Sequence, residues 1–127
     1  MDWNRYSNFT EAEMCCKHTG RCEMNVGFMD RLQRLRGMYG KPLVVTSGYR
    51  DPSHPEEAGR ALPGAHAMGR AVDLAIAGPE AFRIIQLAVL NGFTGIGVQQ
   101  KGASRYLHLD DIQPGTLGFV RPTIWSY

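Results

Sequence analysis

The segment Gly64-Ala-His-Ala-Met-Gly-Arg-Ala-Val-Asp73-Leu-Ala-Ile76 decides the fold of this 127-residue chain. From Ala71 onward it alternates small or polar residues with large apolar ones, which predicts a β-strand with one face on a hydrophobic core. Asp73 occupies a position that points away from that core. His66 lies just before the strand, in a glycine-containing loop that can fold back toward the same face.

A second segment, Arg105-Tyr-Leu-His-Leu-Asp110, alternates in the same way and predicts another strand. Its two leucines are expected to face the core. The remaining side chains, Tyr106, His108 and Asp110, then project on the opposite face. This strand therefore supplies a histidine to the face that carries Asp73.

These two segments together predict a metal site. If the strands pair antiparallel, opposed residues have Cβ atoms about 4.5 to 5.5 Å apart, so Asp73 and His108 could share an ion with His66. Two imidazoles and one carboxylate leave the fourth tetrahedral position to water, which is typical of catalytic zinc. The alternative is that the two histidines are unrelated and each has its own hydrogen-bond partner. Spacing alone leaves both interpretations open.

Three motifs in this order, Ser47-Gly-Tyr-Arg50, His66-Ala-Met-Gly-Arg-Ala-Val-Asp73 and Leu107-His-Leu-Asp110, resemble the zinc-dependent D-Ala-D-Ala carboxypeptidase family. That family includes the vancomycin-resistance dipeptidases and the phage endolysins that cut the L-alanyl-D-glutamate bond of peptidoglycan. Hedgehog signalling domains have a similar fold. The resemblance extends from about Phe9 to Tyr127. It implies one zinc ion per chain, held by His66, Asp73 and His108.

The resemblance also implies roles for residues around the metal. Arg50 would hold a substrate carboxylate or the oxyanion of the tetrahedral intermediate, because a guanidinium offers paired, planar donors. Ser47, Tyr106 and Trp125 are the other expected substrate contacts. The alternatives are that Arg50 is a surface residue in a turn and that Trp125 anchors its segment on the core.

The chain departs from the family where the general base is expected. Members commonly carry an acid three residues before the second ligand histidine, and here that position is Arg105. Asp110 is the nearest candidate for the catalytic base. It could instead orient a ligand histidine, or be a solvated carboxylate at the end of a strand. Gly64 also replaces a serine that family members usually have.

The predicted architecture is a single α+β zinc peptidase domain over residues 1–127, with a small, mainly antiparallel sheet, helices on one face and a zinc cleft on the other. A capping box at Thr10–Glu13 predicts a short helix, and a second helix is expected from Val26 to Met38. A third begins at Pro79, and its predicted buried stripe consists of Phe82, Ile85, Ala88 and Val89.

Composition excludes several other classes. A net charge of +2 without a basic stripe argues against nucleic acid, and no segment approaches the ~20 apolar residues of a membrane span. We expect a monomer that is made in the host cytoplasm without a signal peptide and acts at the bacterial cell wall. Cys15, Cys16 and Cys22 are expected to be reduced thiols, because adjacent cysteines are poorly placed to share a structural zinc with His18.

The expected function is zinc-dependent hydrolysis of a peptide bond in the peptidoglycan stem, by an endolysin-type endopeptidase or a D,D-carboxypeptidase. The sequence does not choose between these bonds. Because Arg105 replaces the usual acid, the alternative is a non-catalytic, zinc-containing module that binds the cell wall, such as a phage structural protein.

Overall fold

The computed structural model describes all residues, 1–127, as three α-helices and one five-stranded sheet. After a 3-10 turn at Trp3–Arg5, the elements are α1 (Glu11–Met14), α2 (Val26–Tyr39), β1 (Val45–Ser47), β2 (Ala71–Ala75), α3 (Gly78–Leu90), β3 (Gly95–Gln99), β4 (Tyr106–Asp110) and β5 (Thr123–Ser126). The α+β class is confirmed. None of the helices combines the length and the apolar character that crossing a membrane would need.

The strands are arranged in the order β1-β2-β4-β3-β5. The first three pairings are antiparallel, but β5 runs parallel to β3. The sheet is therefore mixed, which corrects the expected mainly antiparallel sheet. The cause is the path of residues 111–122: β4 ends where β3 begins, and the chain passes to the free side of β3 before β5 starts. Gly95 accordingly pairs with Asp110 on one side and with Thr123 on the other.

One face of the sheet packs against the helices, as the alternation predicts. Val72 and Leu74 of β2 and Leu107 and Leu109 of β4 are all fully buried. They belong to a single core cluster with apolar residues of the helices, namely Phe28, Met29, Leu32 and Leu35 of α2 and Ala81, Ile84, Leu87 and Ala88 of α3. The opposite face carries the polar side chains of β2 and β4.

The predicted buried stripe of α3 is wrong in its register. Ala88 is buried as predicted and Ile85 is partly buried, but Phe82 and Val89 are 66% and 64% exposed. The other buried residues are Ala81, Ile84 and Leu87. This helix is apolar on most of its circumference, so the sequence pattern does not determine which stripe faces the sheet. The other two helices begin as predicted: Thr10 and Glu13 form a capping box at α1, and α2 starts at Val26.

Candidate metal centre

Three potential ligand atoms meet on the polar face of the sheet. Asp73 of β2 is directly opposite His108 of β4 in the strand register, and His66 lies in the turn that precedes β2. His66 Nε2, His108 Nδ1 and Asp73 Oδ1 are each 3.3 Å from the other two. All three residues are buried. They are the chain's group of histidine, cysteine and acidic side chains that could hold a metal ion.

The dimensions of this triangle fit zinc. Zinc bonds to nitrogen and carboxylate oxygen are about 2.0–2.1 Å long, so the corners of a regular tetrahedron are about 3.3–3.4 Å apart. The observed separations match three such corners. All three residues line the cleft, so an ion held by them would be accessible from it.

Hydrogen bonds on the outer side of each histidine fix which nitrogen faces the centre. His66 Nδ1 lies 2.7 Å from the carbonyl oxygen of Gly48, and this oxygen can only accept, so Nδ1 carries the proton. His108 Nε2 likewise donates to Asp110 Oδ2 at 2.7 Å. In the neutral rings the inner nitrogens are therefore unprotonated. Asp73 Oδ1, buried between them, has no hydrogen-bond partner.

Three acceptor atoms in mutual contact require a positive charge between them. The pKa shifts of His108 and Asp73 indicate the same demand. Burial disfavours a charged imidazole, yet the neighbouring Asp110 and Asp73 carboxylates raise the pKa of His108. Burial alone would raise the pKa of Asp73, but the two histidines hold it below the usual range. A proton or a metal cation can supply this charge, and the tetrahedral spacing fits the metal.

Asp110 lies behind His108 and away from the cleft. It has no exposed surface, and Arg121 binds both of its carboxylate oxygens, at 2.7 and 2.9 Å. Burial would raise the pKa of Asp110, but His108 and Arg121 keep it low, so the carboxylate stays ionised. Gly95, its partner on β3, makes room for this pair, because a Cβ there would collide with the carboxylate.

Arg50 connects the metal centre to the rim of the cleft. Its Nη2 atom lies 3.2 Å from Asp73 Oδ2, and its Nε atom donates to Ser47 Oγ at 3.2 Å. The remaining nitrogen, Nη1, pairs with the carboxylate of Glu56 at 3.0 Å. The guanidinium is thus held on two sides, while its third contact is a side chain that is 63% exposed.

The cleft above the triangle has a volume of about 310 Å³. One wall is aromatic: the Trp125 ring lies 5.1 Å from the His108 ring, and Tyr127 lies 5.2 Å from Tyr106, between ring centroids. Gly97 allows Trp125 to approach, because a Cβ at this position would lie 2.8 Å from the indole ring. Burial raises the pKa of Tyr127 to about 12, so its hydroxyl remains a hydrogen-bond donor at neutral pH.

Most of the residues expected from the sequence meet at this cleft. Six of them line it, namely Arg50, His66, Asp73, Tyr106, His108 and Trp125. Ser47 contacts Arg50 instead, and Asp110 contacts His108 from outside the cleft. The sequence analysis missed other lining residues, namely Glu56, Glu57, Arg60, Phe119, Arg121 and Tyr127. The two glycines of β3 were the available signal for two of them, because a Cβ at Gly97 would lie 2.9 Å from the Tyr127 hydroxyl and a Cβ at Gly95 would collide with the carboxylate that Arg121 binds.

A buried ligand triangle that opens into a cleft with a fixed arginine and an aromatic wall defines a metal-dependent hydrolase rather than a structural zinc domain. The family model described as peptidase M15 matches residues 7–110, so the chain belongs to the peptidase M15 family and is a metallopeptidase by descent. Comparison with curated proteins found no significant match. Residues 111–127, which bring Arg121, Trp125 and Tyr127 to the cleft, lie outside the matched region.

Proposed function

We propose that this protein is a zinc peptidase that hydrolyses a peptide bond in the stem peptide of bacterial peptidoglycan. The observation that carries the proposal is the set of three potential ligand atoms, His66 Nε2, His108 Nδ1 and Asp73 Oδ1, spaced at 3.3 Å on the floor of an open cleft. A zinc ion held there would polarise a scissile carbonyl and lower the pKa of a water molecule to about 7.

In this proposal Arg50 binds negative charge on the substrate or in the transition state. Stem peptides carry free carboxylates, and a guanidinium that is held by Ser47 and Asp73 can offer a fixed pair of donors to one of them. Glu56 pairs with the remaining nitrogen of Arg50 and would be displaced when the substrate binds. Tyr106 and Trp125 would form the apolar side of the peptide subsite.

Asp110 was expected to be the catalytic base, and its surroundings favour the second role considered for it. A general base has to reach the proton that it removes, either directly or through one water molecule. Asp110 contacts the outer nitrogen of His108, is fully buried and is neutralised by Arg121. We therefore propose that Asp110, held by Arg121, orients His108 and fixes its tautomer, and that Asp110 does not contact the substrate.

The substrate class places the site of action at the cell wall, with the stem peptide as the partner of a monomeric enzyme. Two reactions fit the cleft: endopeptidase cleavage within the stem, as in endolysins, and D,D-carboxypeptidase cleavage at its end. Digestion of defined muropeptides followed by mass spectrometry tests the proposal and identifies the bond. Intact muropeptides after incubation with zinc-loaded protein would contradict it.

One observation favours a second candidate, a zinc-containing module that binds wall peptides without cutting them. Arg105 is an exposed cation at the position where family members carry the acid, and Asp110 does not face the cleft. A single experiment distinguishes the two candidates. A binding module immobilised on a column would retain muropeptides and release them unchanged, whereas a peptidase would release cleaved products.

A further inference from the structure

The three cysteines lie outside the cleft and have no role in the proposed function. All three are free thiols. Cys15 directly follows α1, and Cys22 lies at the far end of a tight turn that is closed by two backbone hydrogen bonds, Cys16 N–H to Arg21 O at 2.7 Å and Gly20 N–H to Cys16 O at 2.8 Å. This closed turn brings residues 15 and 22 together at its base.

The two thiol groups at the base of the turn converge on one carbonyl oxygen. Cys15 Sγ donates to the carbonyl oxygen of Glu11 at 2.8 Å, and Cys22 Sγ lies 3.7 Å from the same oxygen. The third thiol is different, because Cys16 is 2% exposed and belongs to the main core cluster, whereas Cys15 and Cys22 are partly exposed. Only the pair at the base of the turn is therefore both adjacent and accessible.

We infer that Cys15 and Cys22 form a site of reversible oxidation, at which a small-molecule disulfide converts the adjacent thiols into a disulfide bond. Disulfide formation requires close Cα atoms and converging side chains, and a closed turn that directs two sulfur atoms at one carbonyl oxygen favours both conditions. The inference concerns the thiols alone and is independent of the proposed peptidase activity.

The reaction is balanced by an external disulfide such as oxidised glutathione. The Cys15 thiolate attacks one glutathione sulfur and releases a glutathione thiolate, and Cys22 then attacks the Cys15 sulfur and releases the second. Two protein thiols lose two electrons and two protons, and one disulfide is reduced to two thiols. Burial, followed by contact with Cys15, raises the pKa of Cys22. The contribution of the Cys15 thiol to the raised pKa of Cys22 disappears once Cys15 is in the mixed disulfide. Cys22 then loses its proton more easily, which favours its attack on the Cys15 sulfur.

The bond would brace the segment that supports the metal centre. Met14, next to Cys15, accepts the backbone N–H of Tyr49 at 2.8 Å, and Gly48 beside it holds His66 through the carbonyl oxygen. Within the turn, Arg21 pairs with Asp51 at 2.6 Å, at the start of the loop that borders the cleft. A link across residues 15–22 restricts the unfolded chain and therefore stabilises the folded one.

The test is oxidation of the full-length protein in glutathione buffers, followed by alkylation under denaturing conditions and peptide mapping. We expect a mass loss of ~2 Da, a Cys15–Cys22 linked peptide, alkylation of Cys16 alone, and reversal by dithiothreitol. Thermal unfolding of the oxidised form should move up by about 5–10 °C. Cys22→Ser, in which the partner thiol is removed from a partly exposed position, should show neither the mass loss nor the shift.

Three results would overturn the inference. They are alkylation of all three cysteines after oxidation, a mapped link that includes Cys16, and an oxidised protein whose unfolding temperature equals that of the reduced one. Mass and thermal readouts do not depend on substrate, so failure here leaves the peptidase proposal intact. A protein that forms the Cys15–Cys22 link but does not cleave muropeptides would contradict the peptidase proposal and leave the disulfide inference intact.

Discussion

The floor and the rim of the cleft are built in different ways. The floor consists of His66, Asp73 and His108, which are at most 9% exposed, paired across β2 and β4 or attached to them, and held by hydrogen bonds from behind. The rim consists of residues from the loop before His66 and from residues 111–127, and it includes Glu56 and Arg60, which are mostly exposed. This difference suggests that the floor holds the metal ion in place and that the rim determines which substrate binds. Changes to the floor should therefore abolish function, and changes to the rim should tune it.

The largest effect is expected from removing a ligand on the floor. His108→Ala takes away one of three donors and leaves Asp110 without its imidazole partner, so most zinc and all peptidase activity should be lost. Zinc content measured by elemental analysis, together with muropeptide turnover, checks this. His18→Ala is a matched control, because that histidine is exposed and does not line the cleft. Full zinc occupancy in the His108→Ala protein would contradict the ligand assignment.

Asp110→Asn tests the support behind the floor. If Asp110 orients His108, the variant should bind zinc about 10 to 100 times more weakly and lose activity in proportion, because an amide is a weaker partner for the ring N–H and leaves Arg121 uncompensated. Competition with a chelator measures the affinity, and circular dichroism confirms folding. Retention of zinc with turnover lowered by roughly 10²-fold would instead make Asp110 the catalytic base. Unchanged zinc and turnover would exclude both roles.

Arg50→Lys tests the residue that joins floor and rim. Lysine keeps the charge but loses the planar pair of donors, so the variant should hold zinc and fold while kcat/KM falls by about 10-fold or more. Arg50→Ala should be more severe. Steady-state kinetics on a defined muropeptide supplies the measurement, and Arg60→Lys is a control on the same cleft. Parental kcat/KM in the Lys variant would show that Arg50 does not clamp charge.

The smallest effect is expected on the rim, at Glu56. An exposed ion pair contributes about 0–1 kcal/mol, so releasing Arg50 with Glu56→Gln should lower KM by no more than about 5-fold and leave kcat unchanged. The same kinetic assay detects the change. A fall in kcat at constant KM would mean that Glu56 takes part in proton transfer. The proposal that Glu56 only pairs with Arg50 until the substrate displaces it would then be wrong.

The sequence could predict the floor because strand alternation and the family motifs indicate the same residues. Alternation in β2 and β4 placed Asp73 and His108 on one face, and the resemblance named them as ligands with His66; the register of the strands then shows that Asp73 and His108 are directly opposed. The positions of the rim residues after β4 depend on the conformation of residues 111–122. This segment has no periodic sequence pattern from which its conformation could be predicted. Arg121 was missed for this reason, although it neutralises Asp110. The buried stripe of α3 was predicted in the wrong register because apolar residues cover most of this helix, so the pattern does not determine which of them face the sheet.

The most direct test of the central claim is a zinc removal and add-back experiment on defined muropeptides, followed by mass spectrometry. The protein as purified should cleave one peptide bond of the stem, the chelated protein should leave the stem intact, and one equivalent of zinc per chain should restore the same product. The His108→Ala protein should yield no product under any of these conditions. A zinc-loaded protein that binds muropeptides and never cleaves them, or cleavage that persists after complete metal removal, would contradict the account.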